Sequence, residues 1–264
     1  MPEGDTVWRA CRRLDAVLAG QRLRRAELRV PQLATADLTG VKVVEVASRG
    51  KHQLFRLCNG MTLHSHFRMD GTWRIFGKGQ TWTGGEPFQI RAILSTNSHD
   101  VIGYRLPVLE LVESTAEETV VGHLGPDLLG SDWDVDEVLR RLARQPERSI
   151  GEALLDQRNL AGIGTFYRAE VLFLQGLHPR TPVGKATRLE RLLRRSQQLL
   201  YANRWRPEQS TTGDLRPTKR AWVFERTRQP CRRCGTPILT EEFGPLGQER
   251  RSYWCPRCQP LLED

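Results

Sequence analysis

The chain has 264 residues, 39% of them hydrophobic and 27% charged, with a formal net charge of +9 and a pI near 9.7. That length supports one large or two ordinary domains with real cores and excludes a peptide-sized, disulfide-held scaffold. No apolar run approaches membrane-spanning length and no segment resembles a secretory signal, so a soluble intracellular protein is expected; the arginine-dominated basic excess suits phosphate recognition.

The chain opens Met1-Pro2-Glu3-Gly4-Asp5. Trimming of the initiator methionine would leave Pro2 with a free secondary amine. Such an amine attacks a sugar aldehyde carbon and forms an iminium, an electron sink for covalent catalysis. An unperturbed α-amino group titrates at about 7.7–8.0, so part of it is neutral at physiological pH. Glu3 beside it is a natural proton donor or acceptor. Taken alone, this stretch reads more readily as a disordered tail. The residues after it have a helical pattern: Val7, Cys11, Leu14 and Leu18 recur at helical spacing between charged residues, with Asp5 as the expected N-cap and Gly20 as the stop. That helix tethers Pro2 and places it near a positive dipole end, which disfavours protonating the amine.

Short strand-like segments come next: 23–30, 41–47, 52–58, 61–67, 72–76, 89–95, 101–105 and 108–112. Asn59-Gly60 signals a two-residue hairpin. Cys11 and Cys58 lie in apolar patterns and read as buried packing residues. Closely spaced short strands indicate an antiparallel sandwich or barrel. Lys51, after Arg49-Gly50 at the mouth of the hairpin pair, is by itself a solvated edge charge. Gly122 to Asp127 breaks the pattern and reads as an interdomain linker.

Beyond it, helices are expected over 134–144, 150–156, 166–175 and 186–203, with Gly176 stopping the third. Gly162-Ile163-Gly164-Thr165 makes a tight turn into that third helix. Its amides and the helix N-terminus form an anion cradle for phosphate, or a plain helix–helix turn. Residues 216–257 hold ten Lys or Arg against four Glu. Cys231-x-x-Cys234 and Cys255-x-x-Cys258, twenty residues apart, have the spacing of a closed tetrahedral zinc site, structural rather than catalytic; the alternative, disulfides, conflicts with an intracellular setting. Phe243-Gly244-Pro245-Leu246-Gly247 reads as a loop, followed by Arg250, Arg251, Tyr253 and Trp254.

Together these residues resemble the formamidopyrimidine-DNA glycosylase/endonuclease VIII family of base-excision repair enzymes, almost from end to end. The marks are Pro2-Glu3-Gly4, Ser48-Arg49-Gly50-Lys51, Leu124-Gly125-Pro126-Asp127, Leu154-Leu155-Asp156-Gln157, Ala161-Gly162-Ile163-Gly164 and Tyr253-Trp254-Cys255-Pro256-Arg257-Cys258-Gln259, in that order. The resemblance implies an α+β multi-domain fold. Residues 1–121 would form a catalytic antiparallel β-sandwich with a flanking helix and 122–133 a linker. A helix–two-turn–helix domain would occupy 134–215, and a four-cysteine zinc finger 216–264, built as a hairpin. It implies Pro2 as Schiff-base nucleophile, Glu3 as general acid/base and Lys51 at the damaged nucleotide's phosphate. Gln157, Gly162, Gly164 and Thr165 would lie at the phosphate-binding turn, Arg250 would grip phosphate, and Cys231, Cys234, Cys255 and Cys258 would bind one structural Zn2+.

Two departures stand out. Thr165 replaces the family's usual Asn; threonine still caps a helix but reaches less far. Thr6 replaces the Glu usual in endonuclease VIII relatives. The stretch Ser65 to Arg74 resembles the endonuclease VIII loop, in which Arg68, Met69 and Asp70 would fill the site left by an extruded base, with Met69 as the wedge. The short 211–229 segment also favours oxidised pyrimidines over oxidised purines. The resemblance therefore implies a monomeric, bifunctional glycosylase/abasic-site lyase acting on damaged or abasic double-stranded DNA. It would cut by β,δ-elimination in the cytoplasm at the nucleoid, without a membrane partner. The alternatives are an 8-oxoguanine glycosylase, a damage-binding protein of this fold that has lost catalysis, and an unrelated zinc-ribbon nucleic-acid protein.

Overall fold

In the computed structural model the described residues are 2–244, 247 and 249–261. The chain forms two compact units: Met1–Pro2 with Thr6–His123, and Glu3–Asp5 with Leu124–Asp264.

The first unit carries most of helix α1 (Gly4–Leu18) and eight strands: β1 (Arg25–Leu28), β2 (Val43–Arg49), β3 (His52–Leu57), β4 (Met61–His66), β5 (Thr72–Gly77), β6 (Ile90–Ser95), β7 (His99–Tyr104) and β8 (Val108–Glu113). They make two four-stranded sheets, ordered β1-β6-β7-β5 and β2-β3-β4-β8, with every pairing antiparallel. This is the expected sandwich. Phe55, Leu63, Trp73, Ala92, Leu94 and Val101 share one core with Val7, Cys11, Leu14 and Leu18 of α1. Each buried leucine-sized side chain contributes about 1.5–3 kcal/mol. The expected hairpin is present, with Gly60 at φ 79°. Cys58, however, is exposed at the end of β3 rather than buried, because the chain turns there. The seventh strand begins earlier than its apolar pattern and stops at Tyr104, since Arg105 has left extended geometry at φ 49°.

Asp5 does not cap α1. The helix already starts at Gly4, and the Asp5 carboxylate accepts Tyr167 Oη at 2.7 Å and Gln209 Nε2 at 2.8 Å.

The second unit contains α3 (Val135–Ala143), α4 (Ile150–Leu155), α5 (Thr165–Gln175) and α6 (Leu189–Asn203), preceded in chain order by the short α2 (Glu118–Val121) of the first unit. Asp134 caps α3 by accepting from the N–H groups of Asp136 and Glu137, and Gly176 ends α5 at φ 70°. Helix α6 starts later than expected, because Val183–Lys185 is a 3-10 turn and Arg188 is left-handed at φ 62°. Strands β9 (Leu239–Phe243) and β10 (Arg250–Trp254) pair antiparallel as the finger hairpin. Of the loop expected between them, Pro245 and Leu246 lie outside the described residues, as does Met1. Within the stretch read as a linker, Gly122 and His123 are exposed, whereas Leu124 to Leu128 are buried in the second unit. There Gly125 N–H donates to Gln157 O at 2.8 Å and Ala161 N–H to Pro126 O at 2.9 Å.

Candidate active site

Glu3 is fully buried. Its Oε2 accepts the N–H of Gly164 at 2.7 Å and that of Tyr167 at 3.4 Å, and its Oε1 accepts the N–H of Phe166 at 2.7 Å. These are the donors that the first turn of α5 leaves unpaired, at the positive end of the helix dipole. Glu3 therefore does the work of an N-cap from far away in sequence. The expectation that Thr165 caps this helix is corrected: Gly164 occupies the cap position without a side chain, and Thr165 is the first helical residue, almost fully buried.

The two glycine motifs interlock around this carboxylate. Gly4 N–H donates to Gly162 O at 2.8 Å, and a Cβ on Gly4 would lie 2.9 Å from Gly162 Cα. A Cβ on Gly164 would lie 2.6 Å from Glu3 Cδ. Gln157 completes the turn: its Oε1 accepts Gly162 N–H at 3.0 Å, and its Nε2 donates to the carbonyls of Leu155 and Ile163, each at 3.0 Å. Gln157, Gly162, Gly164 and Thr165 are thus brought together with Glu3, and the amides of Gly162 and Gly164 are engaged by side chains of this chain.

Pro2, half-buried, immediately precedes Glu3. Lys51 is half-buried in the Gly50-Lys51 turn joining β2 to β3, where Arg49 faces His52 across the hairpin. The exposed Arg68, Met69 and Asp70 come after β4, and Arg68 N–H donates to His66 Nδ1 at 2.9 Å. His66 feels the charges of both Arg68 and Lys51, so these two candidates share one neighbourhood. Below the loop, Trp73 Nε1 donates to Ser65 Oγ at 3.0 Å, and Ser65 Oγ donates to Gln53 Oε1 at 2.6 Å.

On the finger, Arg250 is exposed, and its Nη1 donates to the Glu249 carbonyl at 2.9 Å. The four cysteine sulfurs lie within 4.8 Å of one another, with Sγ separations of 3.5 Å for Cys234–Cys255, 3.5 Å for Cys234–Cys258 and 3.9 Å for Cys231–Cys258. A tetrahedral Zn–S distance of about 2.3 Å places sulfurs about 3.8 Å apart, so the cluster fits one structural zinc. All four donors are protein thiols, which leaves no position open to substrate.

Several residues of this region escaped sequence reasoning. Arg168 is fully buried on α5, and its Nη2 donates to Arg251 O at 2.7 Å, tying α5 to β10. Burial brings its pKa down to about 10, against the opposing influence of Glu3 and in the same direction as that of Arg250. An arginine within an apolar helical run was the available signal. Glu170, fully buried, accepts the N–H groups of Trp222 at 2.8 Å, Val223 at 2.9 Å and Phe224 at 3.0 Å, and the Thr211 hydroxyl. It holds the segment leading into the finger. A cavity of about 290 Å3 lies beside that segment, with Phe166, Gln209, Arg220 and Phe224 among its walls. In the first unit His52 Nδ1 and His64 Nε2 are 2.7 Å apart, and His64 Nδ1 meets Glu110 Oε1 at 2.7 Å. The alternation His64-Ser65-His66 was the visible trace of this cluster.

Three family models match the chain: the formamidopyrimidine-DNA glycosylase N-terminal domain over residues 1–105, the H2TH domain of the same enzyme over 124–210, and a zinc finger found in FPG and IleRS over 228–261. The chain is 52% identical over 261 residues to a probable endonuclease 8 2 of Streptomyces coelicolor, covering 98% of this chain and 94% of the relative. It is 44% identical over 259 residues to the DNA-(apurinic or apyrimidinic site) lyase Nei2 of Mycolicibacterium smegmatis, covering 98% and 99%. Its fold matches that of Lactococcus lactis formamidopyrimidine-DNA glycosylase, crystallised noncovalently bound to DNA containing an AP site. That match has a TM-score of 0.80 at 23% identity and covers 98% of this chain and all of the other.

Proposed function

Because the chain belongs to the formamidopyrimidine-DNA glycosylase/endonuclease VIII family, we propose that it is a bifunctional DNA glycosylase and abasic-site lyase of the endonuclease VIII branch. One observation above all supports the activity: the fully buried Glu3 carboxylate, next to Pro2 in the chain, is fixed by three backbone donors, Gly164 at the cap of α5 and Phe166 and Tyr167 in its first turn. A carboxylate so held accepts a proton from the Pro2 amine and keeps it within one residue of the nucleophile. Pro2 nitrogen then bonds to the anomeric carbon of the extruded sugar. Glu3 returns the proton to the ring oxygen as the bond from that oxygen to the anomeric carbon breaks and the sugar opens. The base then leaves with the glycosidic electron pair and takes the proton remaining on the Pro2 nitrogen, whose lone pair closes the iminium. The iminium acidifies the adjacent sugar C–H, successive eliminations expel both flanking phosphates, and water then hydrolyses the remaining Schiff base, releasing the unsaturated sugar aldehyde and freeing Pro2.

Lys51 would meet the phosphate of the damaged nucleotide, Arg250 another along the strand, and the Gln157–Thr165 turn would abut the backbone. Met69, between Arg68 and Asp70, would occupy the vacated stack. The division of labour is residues 1–121 for chemistry, 122–133 for connection, 134–215 for backbone binding and 216–264 for the finger, cross-linked by zinc. The enzyme works as a monomer on double-stranded DNA carrying damaged bases or abasic sites. We place it in the cytoplasm, at the nucleoid; no helix among the described residues is long and apolar enough to cross a membrane.

Oxidised pyrimidines are the preferred substrates, on the pattern of the Ser65–Arg74 loop and the short 211–229 segment. A panel of duplexes tests this. Thymine glycol and dihydrouracil should be excised faster than 8-oxoguanine opposite cytosine, with products cut on both sides of the sugar. Faster release of 8-oxoguanine overturns the substrate class. Damage binding without any borohydride-trapped adduct overturns catalysis.

A further inference from the structure

Between β4 and β5 the chain closes a tight turn, Gly71 N–H donating to Phe67 O at 2.9 Å, with Met69 at its tip and 60% exposed. Arg68 N–H donates to His66 Nδ1 on one side of the tip, and Arg68 stands in left-handed geometry at φ 50°. Gly71 admits no side chain there: a Cβ would lie 2.8 Å from Phe67 O and 3.3 Å from Arg105 O.

The other side of the tip is held by Arg105, from the turn between β7 and β8. Its Nε donates to Asp70 O at 3.3 Å. Its Nη1 donates to Gly84 O at 3.2 Å and to Gln89 Oε1 at 2.9 Å. Gln89 in turn accepts Glu86 N–H on the same Oε1 at 3.0 Å, and Arg105 N–H donates to Gln89 O at 2.8 Å. One guanidinium therefore joins the Phe67–Gly71 turn to the Gly84–Gln89 segment. Arg105 is itself left-handed at φ 49°, a conformation that a residue with a side chain keeps only where its surroundings over-determine it. The three acceptors converge on a rigid, planar set of donors that a lysine nitrogen cannot reproduce.

We propose that Arg105 is a positioning residue for base extrusion: it braces the Arg68–Met69–Asp70 turn so that Met69 enters the stack without first having to be ordered. This rests on the reading of that turn as the wedge. A braced wedge fills the gap as the base leaves, whereas a loose one adds an ordering cost at that moment. The loss on removing the brace falls on extrusion rather than on duplex binding, and least on an abasic site, where no base has to leave the stack.

The test uses the full zinc-loaded chain, the lesion it excises fastest, the same duplex with a pre-formed abasic site, and 2-aminopurine beside the lesion to report unstacking. R105A should slow single-turnover excision and the 2-aminopurine signal by about ten-fold or more, with abasic nicking and affinity for undamaged duplex within about two-fold. Gln89→Ala, which removes one acceptor of the same guanidinium, should move excision in the same direction by less. R105A combined with Met69→Ala should be no slower than M69A alone, since both act through one turn. Unchanged excision in R105A overturns the proposal. So does equal loss on the abasic duplex, additivity with M69A, or weaker binding to undamaged duplex with a reduced salt slope, which would make Arg105 a phosphate contact. Should R105A fail to fold, Q89A decides by the same two substrates. An unaltered chain that excises no base refutes the enzymatic reading itself, and is recognised before any variant is compared.

Discussion

Glu3 Oε1 accepts the backbone N–H of Phe166 at 2.7 Å, across 163 positions of sequence. Both carboxylate oxygens of Glu3 are needed, since Oε2 takes Gly164 N–H at the same distance. Glu3→Gln turns one of them into an NH2 group facing a backbone donor. Leaving that buried donor unpaired costs about 1–3 kcal/mol. Glu3→Gln should therefore lower the melting temperature as well as excision, and excision by about 10²-fold or more. Nicking of pre-formed abasic sites should survive better, because no base has to leave. Full thermal stability would show the helix cap to be dispensable, and full excision would remove Glu3 from proton transfer.

The histidine cluster gives stability a pH dependence of defined sign. Burial, and then the nearby His66, His64, His123 and Arg68, bring the His52 pKa down to about 3. Burial, then Arg68, Lys51 and His64, bring His66 down to about 4. Burial also lowers His64, opposed by Glu110. In the unfolded chain each titrates near its ordinary value of 6.5. Below that pH the unfolded chain takes up protons that the native protein refuses. Stability is therefore complete above pH 6.5, falls as the pH drops toward 4, and levels off for each group below its native pKa. The slope is up to about 1.4 kcal/mol per pH unit for each histidine. Urea unfolding at neutral pH and near pH 5 should show this loss, and His52→Gln should reduce it. A variant with an unchanged slope would remove His52 from the cause.

Zinc should be present at about one equivalent per chain. The finger is tied to the helices by Gln259 Nε2 donating to Leu177 O at 2.7 Å and by Arg168 Nη2 donating to Arg251 O at 2.7 Å. Cys255→Ser should consequently lose metal and DNA affinity together, and strong chelators should lower the melting temperature. Metal-free protein that keeps full DNA affinity would contradict a structural role for the ion.

Much of this fold was legible because it obeys local rules. The eight sandwich strands announced themselves by short apolar runs between turn residues, and α3 by the helical pattern over 134–144, although the capping role of Asp134 at its start was not read. The cysteine spacing pointed to the cluster that the structure brings together. What escaped were relations between distant residues. Asp5 looks like a helix cap, but its carboxylate is drawn to Tyr167 and Gln209, more than 160 positions away. Gly162 and Gly164 suggested an anion cradle. The anion found there is the chain's own Glu3, with Gly164 leaving room for its carboxylate and Gly162 receiving Gly4. No periodicity encodes such a pairing. The bracing role of Arg105 is equally silent, since an arginine at a strand end reads as a solvated charge.

The two arginines that open β10 differ in their partners. Arg251 Nη2 lies 3.1 Å from Glu242 Oε1, both side chains being 59% exposed, whereas Arg250 Nη1 donates to a backbone carbonyl. A phosphate would meet Arg250 without displacing a carboxylate. Arg250→Ala should weaken binding to damaged and undamaged duplex alike and lower the salt slope by about one, as expected when one phosphate contact is lost. Arg251→Ala should change it far less, and the double variant controls for substitution of one by the other. A loss confined to a single lesion would instead place Arg250 at the base.

If the free amine of Pro2 is the nucleophile, blocking the terminus should abolish chemistry while sparing DNA recognition. An uncleaved extra residue before Pro2 turns the amine into an amide, whose lone pair is delocalised into the carbonyl. It should remove both excision and lyase activity. Pro2→Gly keeps a terminal amine but makes it primary and less constrained, so weak activity should remain. In both variants Glu3 still has its anchor on α5, since Gly164 and Phe166 donate backbone N–H groups that neither change touches. Thermal stability and duplex affinity should accordingly stay near those of the unaltered chain, which separates a lost nucleophile from a lost fold. Lys51 is the rival, because its primary amine also forms Schiff bases and it stands in the turn before the histidine strand. Borohydride reduction of the complex with an abasic duplex freezes the intermediate as a stable secondary or tertiary amine, and mass spectrometry of the digested adduct identifies its position. An adduct on Pro2 that disappears in the extended chain supports the assignment. An adduct on Lys51, with Pro2 unmodified, refutes it and moves the nucleophile to the β2–β3 turn.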